Sequence, residues 1–141
     1  MRVGQLLLRK GGEVWSVEAD EPVLEAIQIM ADRHIGALPV LRQGELVGVV
    51  SERDYARKVV LQRRSSADTP VWQIMSSPAV TVTLDHTIRQ CMTIMTERRF
   101  RHLPVLADDA LAGMISIGDC VRTVIEEQDA TIEQLERFIT G

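Results

Sequence analysis

The sequence is poor in the residues that build disulfide frameworks and metal clusters. It has two cysteines and three histidines among 141 residues, and Cys91 and Cys120 have neither metal-ligand spacing nor a CxxC motif. No apolar run approaches the roughly 18 residues of a membrane span. The apolar stretch at the N-terminus is short and ends in charge, unlike a secretory signal. We therefore expect a soluble cytoplasmic protein without disulfides, metal or a membrane partner.

Motifs of the common enzyme classes are also missing. The chain has no GxGxxG or Walker loop, no GxSxG elbow and no HExxH. His34, His86 and His102 lack ligand spacing, and neither cysteine is near a histidine in sequence. Both cysteines are better explained as core thiols than as nucleophiles. We expect no catalytic activity.

A basic surplus, the usual feature of nucleic-acid binders, is absent as well. The chain has 16 basic and 20 acidic residues and a net charge of −4, so nucleic acid is not an expected partner. Among the basic residues only Lys10 and Lys58 are lysines. Arginine suits bidentate contact with phosphate or carboxylate, although a GC-rich genome would give the same bias.

The sequence contains an internal repeat. Residues 14–55 and 79–120 align without a gap, and thirteen of these 42 positions are identical. Leu38–Leu41 recurs as Leu103–Leu106, and the spacing of Gly48, Ser51 and Asp54 recurs in Gly113, Ser116 and Asp119. The chain is therefore a duplicated unit rather than a long repeat array.

Each copy predicts the order β-α-β-β-α. Helix periodicity and strand alternation place strands at 14–17, 38–41 and 46–51 in the first copy and at 79–82, 103–106 and 111–116 in the second. Two-residue turns at 43–44 and 108–109 join the last two strands of each copy. We expect Asp20 or Asp85 to cap the first helix, and the second helix to begin at Glu52 or Ile117.

The segments outside the copies have their own patterns. Residues 64–78 are polar around one apolar patch, which predicts a linker with a short helix whose Trp72 packs on the two units. This divides the chain into 1–65, the first repeat with its N-terminal lead-in, 66–78, the linker, and 79–141, the second repeat with a C-terminal helix. An apolar stripe on that helix fits core packing or a dimer contact equally well: Val121, Val124, Ile125, Ile132, Leu135 and Ile139.

The junction between the third strand and the second helix is the first candidate site. Ser51 and Asp54, like Ser116 and Asp119, are spaced as a capping box, and capping alone would explain them. However, a glycine in the preceding buried strand marks a close approach in both copies. A carboxylate one turn into a helix can also accept both hydroxyls of a ribose.

The second candidate is the basic run from Arg98 to His102. If the copies pair about a pseudo-twofold axis, Arg101 and His102 would lie near Asp54, where a nucleotide phosphate needs positive charge. A solvated charged face explains the run equally well. The corresponding residues 33–37 are far less basic, so the two sites are not expected to be equivalent.

These residues resemble the CBS-domain pair, also called a Bateman module. The resemblance rests on the tandem β-α-β-β-α units, the two Leu-Pro-Val strands and the two Gly-x-x-Ser-x-x-Asp junctions. The sequence looks most similar to the small stand-alone, single-pair proteins, which include plant mitochondrial forms. The resemblance implies an α/β (α+β) fold of CBS repeats packed about a pseudo-twofold axis, with a C-terminal helix.

The resemblance also implies a ligand site. Such modules bind adenosine ligands in two clefts, with the adenine here expected near Trp15-Ser16 and Val80-Thr81. Asp54 or Asp119 would hold the ribose, and Ser51 or Ser116 would contact ribose or phosphate. The expected phosphate ligands are Arg53, Arg101 and His102. Gly118 replaces Arg53 in the second copy, so the second site lacks one cation.

The expected function is that of a homodimeric regulatory module that transmits its ligand state to a partner protein, whose identity the sequence does not give. The extended arginine set favours AMP or NAD over S-adenosylmethionine, with ADP and ATP as further candidates. Two alternatives stay open at this point. One is a structural dimerisation module without ligand, and the other is a redox-linked regulator that uses a bound dinucleotide.

Overall fold

The computed structural model describes residues 1–11 and 13–140 of the chain. The helices are α1 (Val3–Lys10), α2 (Val23–Arg33), α3 (Glu52–Tyr55), α4 (Ile88–Arg98) and α5 (Ile117–Thr140). The strands are β1 (Val17–Glu18), β2 (Ala37–Arg42), β3 (Glu45–Ser51), β4 (Val82–Thr83), β5 (His102–Ala107) and β6 (Ala110–Ser116). A π-helical turn, Ala56–Val60, continues α3, and a 3-10 turn, Val71–Gln73, lies in the linker.

The strands form two three-stranded sheets of identical topology, which confirms the duplicated unit. In each sheet the first strand pairs in parallel with the second, and the second pairs antiparallel with the third. Both hairpin turns also form as expected. Gln43 and Gly44 have φ values of 51° and 80°, and Asp108 and Asp109 have 48° and 64°. Positive φ at both positions suits the right-handed twist of the flanking strands.

Two local expectations are wrong. The first strand of each copy has only two residues and begins at Val17 or Val82, because the residues before it do not pair with the sheet. The first helix of each copy is not capped by Asp20 or Asp85, because further turn residues precede the helix. Pro22 and Thr87 are the N-cap residues instead.

Each repeat surrounds its own apolar core, and each core includes a segment from outside that repeat. Val3 and Leu6 of α1 are buried in the second core, and the backbone N–H of Val3 donates to the backbone carbonyl of His86 at 2.9 Å. Val71 and Ile74 of the linker are buried in the first core. The lead-in that the sequence grouped with the first repeat therefore packs on the second, and the linker packs on the first.

The remaining apolar residues divide between core and surface. Cys91 and Cys120 are free thiols, fully buried in the second core, as expected. The linker turn forms, although the side chain of Trp72 is 46% exposed and packs only in part. In the described part of the chain, no helix combines the length and the apolar character that crossing a bilayer requires.

Most of the C-terminal stripe is not core. Val124 packs against the second core, but the other members of the stripe are between 42% and 81% exposed: Val121, Ile125, Ile132, Leu135 and Ile139. Packing within the chain therefore fails to explain these five residues. The dimer contact stays a prediction.

Candidate functional site

The two candidate aspartates lie in equivalent caps at the starts of α3 and α5. The backbone N–H of Asp54 donates to Ser51 Oγ at 3.1 Å, and that of Ser51 donates to Asp54 Oδ2 at 3.0 Å. The corresponding distances between Asp119 and Ser116 are 3.1 and 2.9 Å. Both boxes are therefore true helix caps. In each box the cap occupies Oδ2 of the aspartate.

The first cleft, between the repeats, is a cavity of about 410 Å³. Of the predicted site residues, Ser51, Arg53 and Asp54 line it from the first repeat. Val80, Arg101 and His102 line it from the second. The structure thus brings Arg101 and His102 to the same cavity as Asp54, as pairing of the copies required. A cavity of this size is within the range of small-ligand sites.

The first cleft carries a surplus of positive charge. Five arginines and lysines line it against two acidic residues: Arg53, Arg57, Lys58, Arg99 and Arg101 against Glu52 and Asp54. Lys58 Nζ lies 3.3 Å from Asp54 Oδ1 and donates to the carbonyl of Ile74 at 2.9 Å. The lining of the first cleft therefore has a net positive charge, which would favour an anionic ligand.

The second cleft is smaller, at about 330 Å³, and its charges balance. Ser116, Asp119 and Trp15 line it, together with two cations and a second acid: Lys10, Arg122 and Glu13. Lys10 Nζ donates to Asp119 Oδ2 at 2.8 Å. Burial alone would raise the pKa of Asp119, but the hydrogen bonds from Lys10 and the Ser116 backbone outweigh burial and lower the pKa.

His102 lies at the wall between the clefts and lines both of them. A Cβ atom added to Gly36 would approach its ring Cε1 to 3.4 Å, so the ring packs against the first repeat. Burial lowers the pKa of His102, and the charges of Lys10 and Arg101 lower it further, against an opposing effect of Asp119. The imidazole is therefore held in its neutral form near neutral pH.

The structure separates the residues expected around adenine. Val80 lines the first cleft and Trp15 the second. The Arg33 guanidinium lies 3.7 Å from the centre of the Trp15 ring. Ser16 and Thr81 are not among the residues that line either cleft. The expected contact of Ser16 and Thr81 with a ligand stays a prediction, and these two cavities give it no support.

Several cationic residues that line the clefts were not predicted as site residues from the sequence. Lys58 and Arg122 follow the aspartates by four and three residues, so helix spacing was a usable signal for them. Arg57 likewise follows Asp54 by three residues, whereas Arg99 lay within the basic run already chosen as a candidate. Lys10 had no local signal, because it reaches Asp119 from 109 positions away.

Metal chemistry receives no support from the residues that the structure describes. Among them, no group of three or more His, Cys, Asp or Glu side chains could hold a metal ion.

The two thiols are poorly suited to act as nucleophiles. Burial raises the pKa of Cys91 to about 11 and that of Cys120 to about 12, where few thiolates form at neutral pH.

Two regions of the chain match a family of known proteins. The family model for the CBS domain matches residues 3–61 and 71–126. The mitochondrial CBS domain-containing protein CBSX3 of Arabidopsis thaliana is 39% identical over 136 residues, which cover 93% of this chain and 66% of the relative.

Solved structures show the same fold. A CBS-domain protein of Burkholderia ambifaria MC40-6 is 45% identical, with a TM-score of 0.86 over 91% of this chain and 96% of that one. The CBS-domain pair of protein MJ0100, in complex with 5-methylthioadenosine and S-adenosyl-L-methionine, is 21% identical. Its TM-score is 0.80 over 90% of this chain and 98% of that one, a likeness of fold.

Proposed function

The chain belongs to the CBS-domain family of regulatory modules, and we propose that its first cleft binds an adenine nucleotide, AMP or NAD. One observation carries the proposal. Asp54 from the first repeat and Arg101 from the second line the same cavity of about 410 Å³. A carboxylate suits the vicinal hydroxyls of a ribose, and a guanidinium suits a phosphate. The nucleotide would therefore contact both repeats at once.

The charge of the first cleft selects among adenosine compounds. Its cation surplus favours a phosphorylated ligand, and it disfavours the sulfonium charge of S-adenosylmethionine. Arg53 and Arg101 are the proposed phosphate ligands, with His102 beside them, and Val80 is proposed to contact the adenine. Ser51 is proposed to contact the ribose or phosphate through its hydroxyl. ADP and ATP fit the same charge.

The proposed role is regulatory and non-catalytic. A ligand held between two repeats favours one relative arrangement of them, and such coupling is typically worth about 1–3 kcal/mol. The MJ0100 pair was solved with two adenosine compounds, which supports the capacity of this fold to hold them. We infer that a partner protein responds to the ligand state. The burial of both cysteines disfavours a thiol as the redox partner of a bound dinucleotide.

Calorimetric titration tests the nucleotide proposal. We expect AMP or NAD to bind the wild-type chain and Asp54→Ala to weaken binding at least about tenfold, since a lost hydrogen bond to a charged group is worth about 1.5–3 kcal/mol. The matched control is Asp32→Ala, which removes an exposed aspartate hydrogen-bonded to Gln28. If AMP, ADP, ATP and NAD all fail to bind the wild type at millimolar concentration, the proposal is wrong.

A structural dimerisation role is the second candidate, favoured by the exposed stripe on α5. Ile132 and Leu135 are 52% and 58% exposed, one helical turn apart. An exposed apolar stripe of this kind is typical of helix pairing. We propose that two copies of the chain associate through it. Sedimentation velocity should then show a dimer that Leu135→Glu converts to a monomer, and a wild-type monomer would contradict it.

A further inference from the structure

An internal cation already occupies the carboxylate of the second cleft. Lys10 is the last residue of α1. Its Nζ donates to Asp119 Oδ2 and to the carbonyl of Met114, at 2.8 Å in both cases. The side chain of Asp119 is only 11% exposed, while that of Lys10 is 40% exposed. The lysine therefore enters the cleft from a distant element and pairs with the residue that would hold a ribose.

The acceptor sites of Asp119 show what this pairing excludes. Each carboxylate oxygen accepts about two hydrogen bonds. Oδ2 accepts the Ser116 N–H at 2.9 Å and Lys10, whereas Oδ1 accepts one bond from Arg122 at 3.1 Å. A vicinal diol that donates one bond to each oxygen needs a site on Oδ2. Because the Ser116 N–H belongs to the helix cap, only Lys10 can release that site.

The first cleft lacks this obstruction. Asp54 Oδ2 accepts the N–H of Ser51 and, as its second donor, the hydroxyl of the same residue at 3.0 Å. A hydroxyl can rotate away without moving any backbone. The ammonium of Lys58 lies 3.3 Å from Oδ1. A ribose can therefore take both oxygens of Asp54 without displacing a charged group from Oδ2.

We propose that Lys10 is a specificity-determining residue that closes the second cleft to uncharged nucleosides until it is displaced. A nucleoside competes with the ammonium group for Asp119. A successful competitor therefore takes the place of the ammonium group on Oδ2 of Asp119. The ligand class rests on the function proposed above, whereas the pairing itself does not.

Adenosine titrations in an Asp54→Asn background, which impairs the first cleft, test this inference. Lys10→Met removes the ammonium and keeps most of the apolar stem, and we expect it to tighten adenosine binding about tenfold or more. Lys10→Arg keeps a cation at this position, so its affinity for adenosine should be as weak as that of the Asp54→Asn background. Arg9→Met is the matched control. Arg9 also lies on α1, but it pairs at the surface with Glu126 of α5, so this variant should leave adenosine affinity unchanged.

The outcomes separate this inference from the nucleotide proposal. If wild type binds AMP but Lys10→Met leaves adenosine affinity unchanged or weakens it, the role of Lys10 is wrong and the first-cleft site survives. If adenosine binds no variant, the inference is also wrong. Hydrogen exchange gives a ligand-free readout. The N–H of Gly11 donates to the Leu7 carbonyl at 3.2 Å and should exchange faster in Lys10→Met but not in Arg9→Met, and equal exchange would contradict the pairing.

Discussion

The two clefts share one backbone design and differ in their charges. Both present an aspartate in a Ser-x-x-Asp cap, with nearly identical cap distances. The first cleft then gathers a surplus of cations, whereas the second balances two cations with two acids. At the positions equivalent to Arg53 and Lys58 the second repeat has Gly118 and Thr123. Duplication thus preserves the cap and the fold, while single substitutions around it set the charge of each cleft.

The clefts also differ in how each aspartate meets its lysine. Lys58 lies on the same helical segment as Asp54, one turn further on. Lys10 reaches Asp119 from α1, which is buried in the second core through Val3 and Leu6. The pair in the second cleft therefore joins two distant elements, while the pair in the first cleft lies within one helical segment. Three sets of substitutions test the comparison between the two halves of the molecule.

The largest expected effect is on phosphate binding by Arg101. Arg101→Ala removes a charged donor from the first cleft, and we expect AMP affinity to fall about tenfold to a hundredfold because such bonds are worth about 1.5–3 kcal/mol. Adenosine, which has no phosphate, should bind nearly as before. Arg122→Ala in the second cleft is the control. Equal losses of AMP affinity in the two variants would remove the distinction between the clefts.

The next effect concerns two glycines, Gly48 under the linker and Gly113 under α1. A Cβ atom on Gly48 would lie 2.7 Å from the backbone oxygen of Ser76, whose bond to the Val49 N–H fixes it in place. On Gly113 it would lie 2.8 Å from the side-chain Cδ2 of Leu7, which can shift. In urea denaturation we expect Gly48→Ala to lower the free energy of unfolding by about 1–3 kcal/mol, and Gly113→Ala to lower it by less. The reverse order would show that α1 is the more rigid of the two segments.

The smallest effect is the pH response of His102. Its folded pKa is lowered, so below the unfolded value of about 6.5 the unfolded chain binds more protons, and stability falls as pH falls through that value. His102→Asn should reduce the slope of unfolding free energy between about pH 7 and pH 5. Asp119, whose lowered pKa acts in a more acidic range, contributes little there. An unchanged slope would mean that the ring is not held neutral.

Sequence patterns predicted most of the fold because the two copies show the same pattern of strands and helices, so each prediction could be checked in both. The hairpin turns and the Ser51–Asp54 box depend on neighbouring residues, which a local pattern can show. The two-residue β1 strand is set by its parallel pairing with β2, and the burial of Leu6 by a distant core. Both depend on tertiary packing, which no local pattern contains.

The candidate site divides in the same way. Asp54 and Arg101 were predicted together only because the repeats were assumed to pair about an axis, and the structure places both at one cavity. The contact between Lys10 and Asp119 could not be predicted, since it joins residues 109 positions apart that belong to no shared motif. The balanced charge of the second cleft depends on this contact. The sequence therefore predicted that the two clefts differ, but it did not predict the pairing of Lys10 with Asp119.

A crystal structure of the chain with AMP tests the central claim most directly, because it shows which cleft holds the phosphate. We predict the ribose hydroxyls on the carboxylate of Asp54 and the phosphate within hydrogen-bonding distance of Arg101, with Lys10 still on Asp119. AMP in the second cleft instead, with its phosphate on Lys10 or Arg122 and the first cleft empty, would contradict the account.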